Sequence, residues 1–134
     1  MEAGERRARG RVARAVDEAE WLTGLEFCVY FGAIGDADPR ARAEEMFVEA
    51  GLHARPAVLV MVAPDQRRVE VVTAAAARSR ISDEAAAAAV GEMTSRLALD
   101  QPAAGLVAGI RHLAAAAGPG RAPAGTEELP DILG

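Results

Sequence analysis

Apolar residues recur at intervals of three and four in four stretches of the chain, the spacing that places them on one face of an α-helix. Two of these stretches follow a residue suited to N-capping, Asp38 in one case and Ser82 in the other. The pattern predicts four helices: one ending near Thr23, one over residues 39–50, one after Ser82, and one from Pro102 to Gly118.

Three shorter stretches have the character of β-strands. Residues 25–31, "LEFCVYF", and 57–63, "AVLVMVA", are almost wholly apolar, as expected of strands covered on both faces. The first is therefore predicted to lie centrally in its sheet. Residues 64–67, "PDQR", have turn chemistry, and residues 68–72, "RVEVV", alternate. The last two strands are predicted to form a hairpin.

The predicted order of elements is α, β, α, β, β, α, α. A right-handed crossover makes the first two strands parallel, and the hairpin makes the third antiparallel. We expect an α/β fold, a three-layer α/β/α sandwich with a mixed sheet of three or four strands and helices on both faces. In this register Val29 and Leu59 are both predicted to be buried.

The same topology brings distant residues to one edge of the sheet. The first two strands begin there and the third ends there, so Thr23, Arg55 and Thr73 are predicted to form a binding edge. The loop after the third strand contains four consecutive alanines, residues 74–77.

Carboxylates are the candidate metal ligands at this edge. Hard cations such as Ca²⁺ and Mg²⁺ take oxygen ligands, and four acidic residues could converge here: Glu20, Glu26, Asp83 and Glu84. In the alternative interpretation, Asp83 and Glu84 complement a helix dipole and Glu20 is solvated. Glu26 then pairs with Arg55 or Arg78.

The net charge of the chain limits which classes of binding partner are expected. The net charge of −5 gives no field that would attract a polyphosphate, so nucleic acid is not an expected partner. The one basic cluster comprises Arg6, Arg7, Arg9, Arg11 and Arg14, and acidic residues follow it directly. A solvated helical face is the simpler interpretation of that cluster, and a binding patch is the alternative.

The cysteine and the two histidines give little indication of a catalytic or metal site. Cys28 is the single cysteine, so no internal disulfide can form and a cytoplasmic location is expected. Within the first strand, small apolar packing is its expected role. His53 and His112 show no metal-ligand spacing. No apolar run reaches the roughly 20 residues that a transmembrane segment needs.

The domain is predicted to occupy residues 12–117. Residues 1–11 are interpreted as an N-terminal extension or the start of the first helix. Residues 118–134 are rich in Gly, Pro and acids and are predicted to form a flexible tail.

Four segments, in this order and spacing, resemble the TPM domain family of bacterial and thylakoid proteins: "EWLTGLEFCVY", "AEEMFVEAG", "VLVMVAPDQRRVEVV" and "GLVAGIRHL". The resemblance covers residues 12–117. The alanine-rich composition is similar to that of an actinobacterial branch of unknown function.

Some members of that family are linked to phosphatase activity, so the resemblance implies a metal-dependent catalytic pocket. Members often carry Asn-Gly at the start of the second strand and Gly or Gly-Asp after the third. This chain has Pro56 and Ala57 in the first place and residues 74–77, all alanine, in the second. Methyl groups neither coordinate a hard cation nor position water for attack.

We therefore expect a TPM-like, non-catalytic binding or regulatory module. Its partner would be an unknown protein or a small ligand, with no cofactor required. The alternative is a phosphatase-like hydrolase that uses Ca²⁺ or Mg²⁺.

Overall fold

A computed structural model describes residues 2–120 of the chain. Within that range it has a mixed α/β fold with five α-helices, a 3₁₀ turn at Leu52–Ala54 and three strands. The elements are α1 (Glu2–Thr23), β1 (Glu26–Phe31), α2 (Pro39–Glu49), β2 (Ala57–Ala63), β3 (Arg68–Thr73), α3 (Ala75–Arg78), α4 (Asp83–Ala98) and α5 (Pro102–Ala117).

The element order agrees with the one predicted, with the short helix α3 added in the alanine-rich loop. The predicted N-caps are confirmed, since the Asp38 carboxylate accepts from the Ala41 amide at 2.9 Å and the Ser82 hydroxyl from the Ala85 amide at 3.1 Å. The predicted extension, residues 1–11, belongs to α1 from Glu2 onward. Of the predicted tail, residues 121–134 lie outside the described residues.

The three strands form an open sheet in the order β1-β2-β3. The pair β1 and β2 is parallel, with Val29 opposite Val60, and β2 and β3 are antiparallel, with Val60 opposite Val71. Both predicted pairings are thus confirmed. The predicted central position of β1 is wrong, because β2 is the central strand and all its residues are buried. The expectation that both faces of β1 are covered is also wrong, since Cys28 and Phe31 are exposed.

Two apolar clusters lie on opposite faces of the sheet, since successive side chains of a strand alternate between faces. One cluster contains Val60 and Val71 together with residues of α1, α4 and α5. The other contains Leu59, Met61 and Val72 together with residues of α2. Leu59 is buried as predicted, whereas Val29 is half-buried against the first cluster.

The face of β1 on the α2 side is open to solvent at Cys28, whereas Tyr30 on the same face packs against the second cluster. Helix α2 packs mainly on β2 and β3, so it covers this face of β1 only in part. Cys28 is therefore exposed, and the prediction that it fills a packed position is wrong. At the free edge of β1, the Glu20 carboxylate accepts from the Phe27 amide at 2.9 Å.

Helices α4 and α5 approach each other closely. A Cβ atom placed on Gly109 would overlap the buried side chain of Met93. Within residues 2–120, no helix combines the length and the apolar character needed to cross a bilayer.

Candidate functional site

The predicted edge of the sheet is formed as the topology requires. The amide of Glu26 donates to the Pro56 carbonyl at 2.9 Å, and the amide of Ala74 donates to the Ala57 carbonyl at 2.9 Å. These bonds join the starts of β1 and β2 to the end of β3. A cavity of about 530 Å³ opens at this edge, and we call it the edge cavity; it is lined by Thr23, Gly24, Leu25, Pro56, Ala76, Arg80 and Pro119.

Arg80 is the only charged side chain among the described residues that line the edge cavity. Its guanidinium donates to the carbonyl oxygens of Thr23 at 2.6 Å, Gly118 at 2.8 Å and Ala117 at 3.3 Å. The last carbonyls of a helix have no partner within the helix. Arg80 supplies that partner to α1 and α5 at once, and so holds the ends of the two helices together.

Sequence reasoning did not identify Arg80. Its partners are backbone atoms 57, 38 and 37 residues away, and a backbone carbonyl leaves no mark in the sequence. The one local signal is a basic residue shortly before the cap residue Ser82, which also fits a solvated loop.

Thr23 lies at the edge cavity as predicted, but its hydroxyl is already satisfied. The side chain is fully buried. The hydroxyl donates to the Ala19 carbonyl at 2.7 Å and accepts from the Leu25 amide at 3.0 Å. Thr23 therefore shapes the wall of the edge cavity and turns the chain from α1 into β1.

Arg55 and Glu26 form an ion pair on the β1 side of the same edge. The Nε and Nη2 atoms of Arg55 lie 3.1 Å and 2.9 Å from one Glu26 oxygen. This is the pairing named as the alternative to metal binding by Glu26. Glu20 is likewise engaged, through the Phe27 amide.

Asp83 and Thr73 lie in a separate groove of about 240 Å³ beside β3, which we call the β3 groove. Arg40, Arg78 and Glu70 also line it. Asp83 and Glu84 occupy the first turn of α4, the position at which carboxylates favour a helix terminus.

The structure does not bring the four candidate metal ligands together in one cluster. Glu26 lies on β1 and Asp83 lies beside β3, and β2 separates the two outer strands. Adjacent strands are spaced by roughly 4.8 Å, so the outer two are about 10 Å apart. Across the part of the chain that the structure describes, no three His, Cys, Asp or Glu side chains lie close enough together to hold a metal ion.

Two of the four alanines in the loop after β3 are packing residues. Ala74 is buried in the cluster beneath α2, and Ala77 is buried in the cluster on the other face. Ala76 points its methyl group toward the edge cavity. The loop therefore supplies apolar surface where a catalytic loop would supply ligands or a base.

The described lining of the edge cavity can bind but offers little for catalysis. It combines apolar side chains with backbone groups and a guanidinium that is already hydrogen-bonded. General acid-base or nucleophilic catalysis needs a side chain such as His, Glu, Asp, Cys or Ser within reach of the reacting atoms. None of these types occurs among the described lining residues.

Solved structures share this fold at low sequence identity. The NMR structure of the BA42 protein from Bizionia argentinensis superposes with a TM-score of 0.79 at 20% identity, over 95% of this chain and 91% of that one. The N-terminal domain of a protein from P. gingivalis gives 0.68 at 20% identity, over 87% and 74%. The N-terminal domain of the cg2496 protein from Corynebacterium glutamicum gives 0.69 at 14% identity, over 90% and 78%.

These similarities establish the fold alone. No curated protein matches the sequence. The sequence profile of one family matches residues 6–114, which is most of the chain. The chain therefore belongs to the family described as Domain of unknown function (DUF5130).

Proposed function

We propose that this protein is a non-catalytic binding module that takes an uncharged apolar group of a peptide or small molecule into the edge cavity. One observation carries the proposal: the polar side chains of the described lining, Arg80 and Thr23, are already hydrogen-bonded within the protein, and the remaining lining side chains are apolar. The cavity has the volume of a small-ligand site. Its chemistry suits binding and orientation.

Arg80 also defines the polar part of the ligand. A guanidinium carries five N–H donors, and the contacts to Thr23, Ala117 and Gly118 use three of them. The remaining donors favour a ligand that places a carbonyl or amide oxygen beside its apolar group. Leu25, Pro56 and Ala76 provide the apolar contacts.

Binding can be tested by NMR with capped, uncharged dipeptides that bear one apolar side chain. We expect selective shifts of the Leu25 and Ala76 amides. Ala76→Leu, which fills the cavity, should abolish these shifts. Ala75→Leu is the matched control, because Ala75 is exposed on the same short helix and does not line the cavity. Shifts that survive Ala76→Leu unchanged would place binding elsewhere.

The rival is the metal-dependent phosphatase, for which Asp83, Glu84 and Glu26 would be the ligands of Ca²⁺ or Mg²⁺. Thermal melting in millimolar Ca²⁺, Mg²⁺ and Mn²⁺ separates the two. A ligand at a hundred times its dissociation constant stabilises the native state by roughly 2.7 kcal/mol. We expect no shift of Tm and no hydrolysis of phosphate esters above that of Asp83→Asn. Hydrolysis lost in Asp83→Asn with the fold intact would establish the enzyme.

The proposal includes a relationship to the TPM domain family and a three-layer α/β/α arrangement. The ordered segments that resemble that family support the first. The two apolar clusters on opposite faces of the sheet support the second. A cytoplasmic location stays a prediction from the single cysteine.

A further inference from the structure

Helix α1 extends past the body of the domain. Its C-terminal end lies level with that of α5, since the Gly120 amide donates to the Leu22 carbonyl at 2.8 Å and Arg80 bridges both ends. The two helices run parallel, and α1 has 22 residues against 16 in α5. At about 1.5 Å per residue, the first turns of α1 project roughly 9 Å beyond the start of α5.

The first part of this helix carries a concentrated positive charge in an acidic protein. Residues 2–14 hold five arginines and two glutamates, a local charge of +3 in a chain with a net charge of −5. The arginines are exposed, and none has an ion pair or side-chain hydrogen bond to a side chain or backbone group of residues 3–120: Arg6, Arg7, Arg9, Arg11 and Arg14. In contrast, Arg40 and Arg42 of α2 pair with glutamates of their own helix.

The only tryptophan of the chain lies on the same helix. Trp21 is 88% exposed, although a residue of this size is normally largely buried. A spacing of seven residues, about two helical turns, separates Arg7 from Arg14 and Arg14 from Trp21. They form one stripe about 21 Å long, opposite the buried Ala15 and Ala19.

We propose that this outer face of α1, formed by Arg7, Arg14 and Trp21 with Arg11 on its flank, docks on an anionic lipid bilayer with the helix lying along the surface. Arginines bind lipid phosphates, and the indole of Trp21 enters the headgroup region, where amphipathic rings are favoured. The exposed indole beside basic residues favours a bilayer over duplex nucleic acid, since tryptophan is enriched at membrane–water interfaces.

Three acidic residues lie near Trp21, namely Asp17, Glu18 and Glu20, and Glu18 lies on the stripe itself because it follows Arg14 by four residues. Glu18 faces Arg111 of α5 at 3.9 Å, so part of its charge is balanced within the protein. Asp17 flanks the stripe without an ion partner among the described residues. Charges beyond about one Debye length, about 10 Å at 0.1 M salt, are screened. The charge of +3 on residues 2–14 therefore acts at the end of α1 that projects beyond α5, whereas α1 as a whole is formally neutral.

The fluorescence of Trp21 reports the docking directly, because no other tryptophan contributes. The full chain is titrated with vesicles of phosphatidylcholine containing about 30% phosphatidylglycerol, and with pure phosphatidylcholine. We expect a blue shift and protection from acrylamide with the anionic vesicles only. Raising salt from about 50 mM to about 500 mM should reverse both changes.

Charge variants test the surface. Arg7→Gln combined with Arg14→Gln should weaken partition roughly 25-fold, since each basic residue at an anionic surface contributes about fivefold. Arg67→Gln combined with Arg78→Gln is the matched control, with the same net charge and two exposed arginines away from α1. The control should bind as the unaltered protein does.

Four results would overturn the proposal. They are the absence of any change with anionic vesicles, equal binding to neutral vesicles, equal weakening by both double variants, and binding to heparin or duplex DNA without binding to vesicles. The last would assign the stripe to a polyanionic partner. Circular dichroism should show that both double variants are folded like the unaltered protein, so that a loss of vesicle binding reports the altered surface and not unfolding.

Discussion

The guanidinium of Arg80 lies 2.6 Å from the carbonyl oxygen of Thr23, a residue 57 positions earlier in the chain. The same side chain reaches the Gly118 carbonyl at 2.8 Å. One arginine in the loop before α4 therefore joins the ends of α1 and α5, and these two helices pack against each other along their length. The wall of the edge cavity depends on this contact.

Removing that contact should destabilise the domain. Hydrogen bonds to charged groups contribute roughly 1.5–3 kcal/mol, and Arg80→Met leaves partly buried carbonyls without a donor. We expect the free energy of unfolding to fall by about 2–3 kcal/mol, measured by urea denaturation. Arg78→Met is the control, because the Arg78 side chain is exposed and makes no hydrogen bond to the described residues. Equal losses in the two variants would refute the role of Arg80.

Replacing two helical glycines by alanine should change the free energy of unfolding in opposite directions. At Gly109 the new methyl group would overlap Met93, which is fully buried, so we expect a loss of about 1–3 kcal/mol. At Gly91 no heavy atom lies within 4 Å of the added Cβ. Gly91→Ala should therefore gain about 0.4–1 kcal/mol through helix propensity and reduced freedom of the unfolded chain. Chemical denaturation of both variants measures the difference, and a gain at Gly109 would contradict the close packing of α4 on α5.

The thiol of Cys28 should be accessible in the native protein. It is exposed on β1, on the face that α2 covers only in part. We expect an aromatic disulfide reagent to label one thiol per chain without denaturant, at a rate within about tenfold of that in urea. Protection by orders of magnitude would show that this face is covered in solution.

Neutralising Asp83 should have a small effect on stability. Its carboxylate lies in the first turn of α4, where a negative charge is worth about 0.3–1 kcal/mol at low salt. Asp83→Asn should lose that amount, and about 0.5 M salt should reduce the difference. Ser95→Ala is a suitable control, since its hydroxyl contacts only the Gly91 carbonyl of its own helix. A loss much larger than 1 kcal/mol would indicate a role beyond the helix terminus.

The sequence was informative about elements and their faces. Periodicity and capping residues such as Asp38 and Ser82 depend on neighbours within four positions, so the helices and the β2–β3 hairpin could be predicted. The meeting of Thr23 with the start of β2 followed from topology alone. These features are local or geometric, and they need no knowledge of packing partners.

The edges of the sheet and the contacts of Arg80 could not be predicted. The apolar run of β1 has the same character as that of β2, but β1 lies at the edge and β2 at the centre. What distinguishes them is the placement of α2 over β2 and β3, a tertiary property. Arg80 binds only backbone oxygens, which every residue type provides. The grouping of Asp83, Glu84 and Glu26 around a metal stays a prediction for the melting experiment.

The parallel arrangement of α1 and α5 has an electrostatic consequence for the edge cavity. A helix C-terminus carries the equivalent of roughly half a negative charge, and here two such ends meet at the same place. The single positive charge of Arg80 balances their sum, since its guanidinium contacts carbonyls of both ends. The two helix ends and the guanidinium thus contribute charges of similar size and opposite sign at the cavity. A neutral ligand therefore has no electrostatic cost to overcome here. An anion attracted by Arg80 is repelled by the two helix ends, and a cation attracted by the helix ends is repelled by Arg80, so neither gains a net attraction.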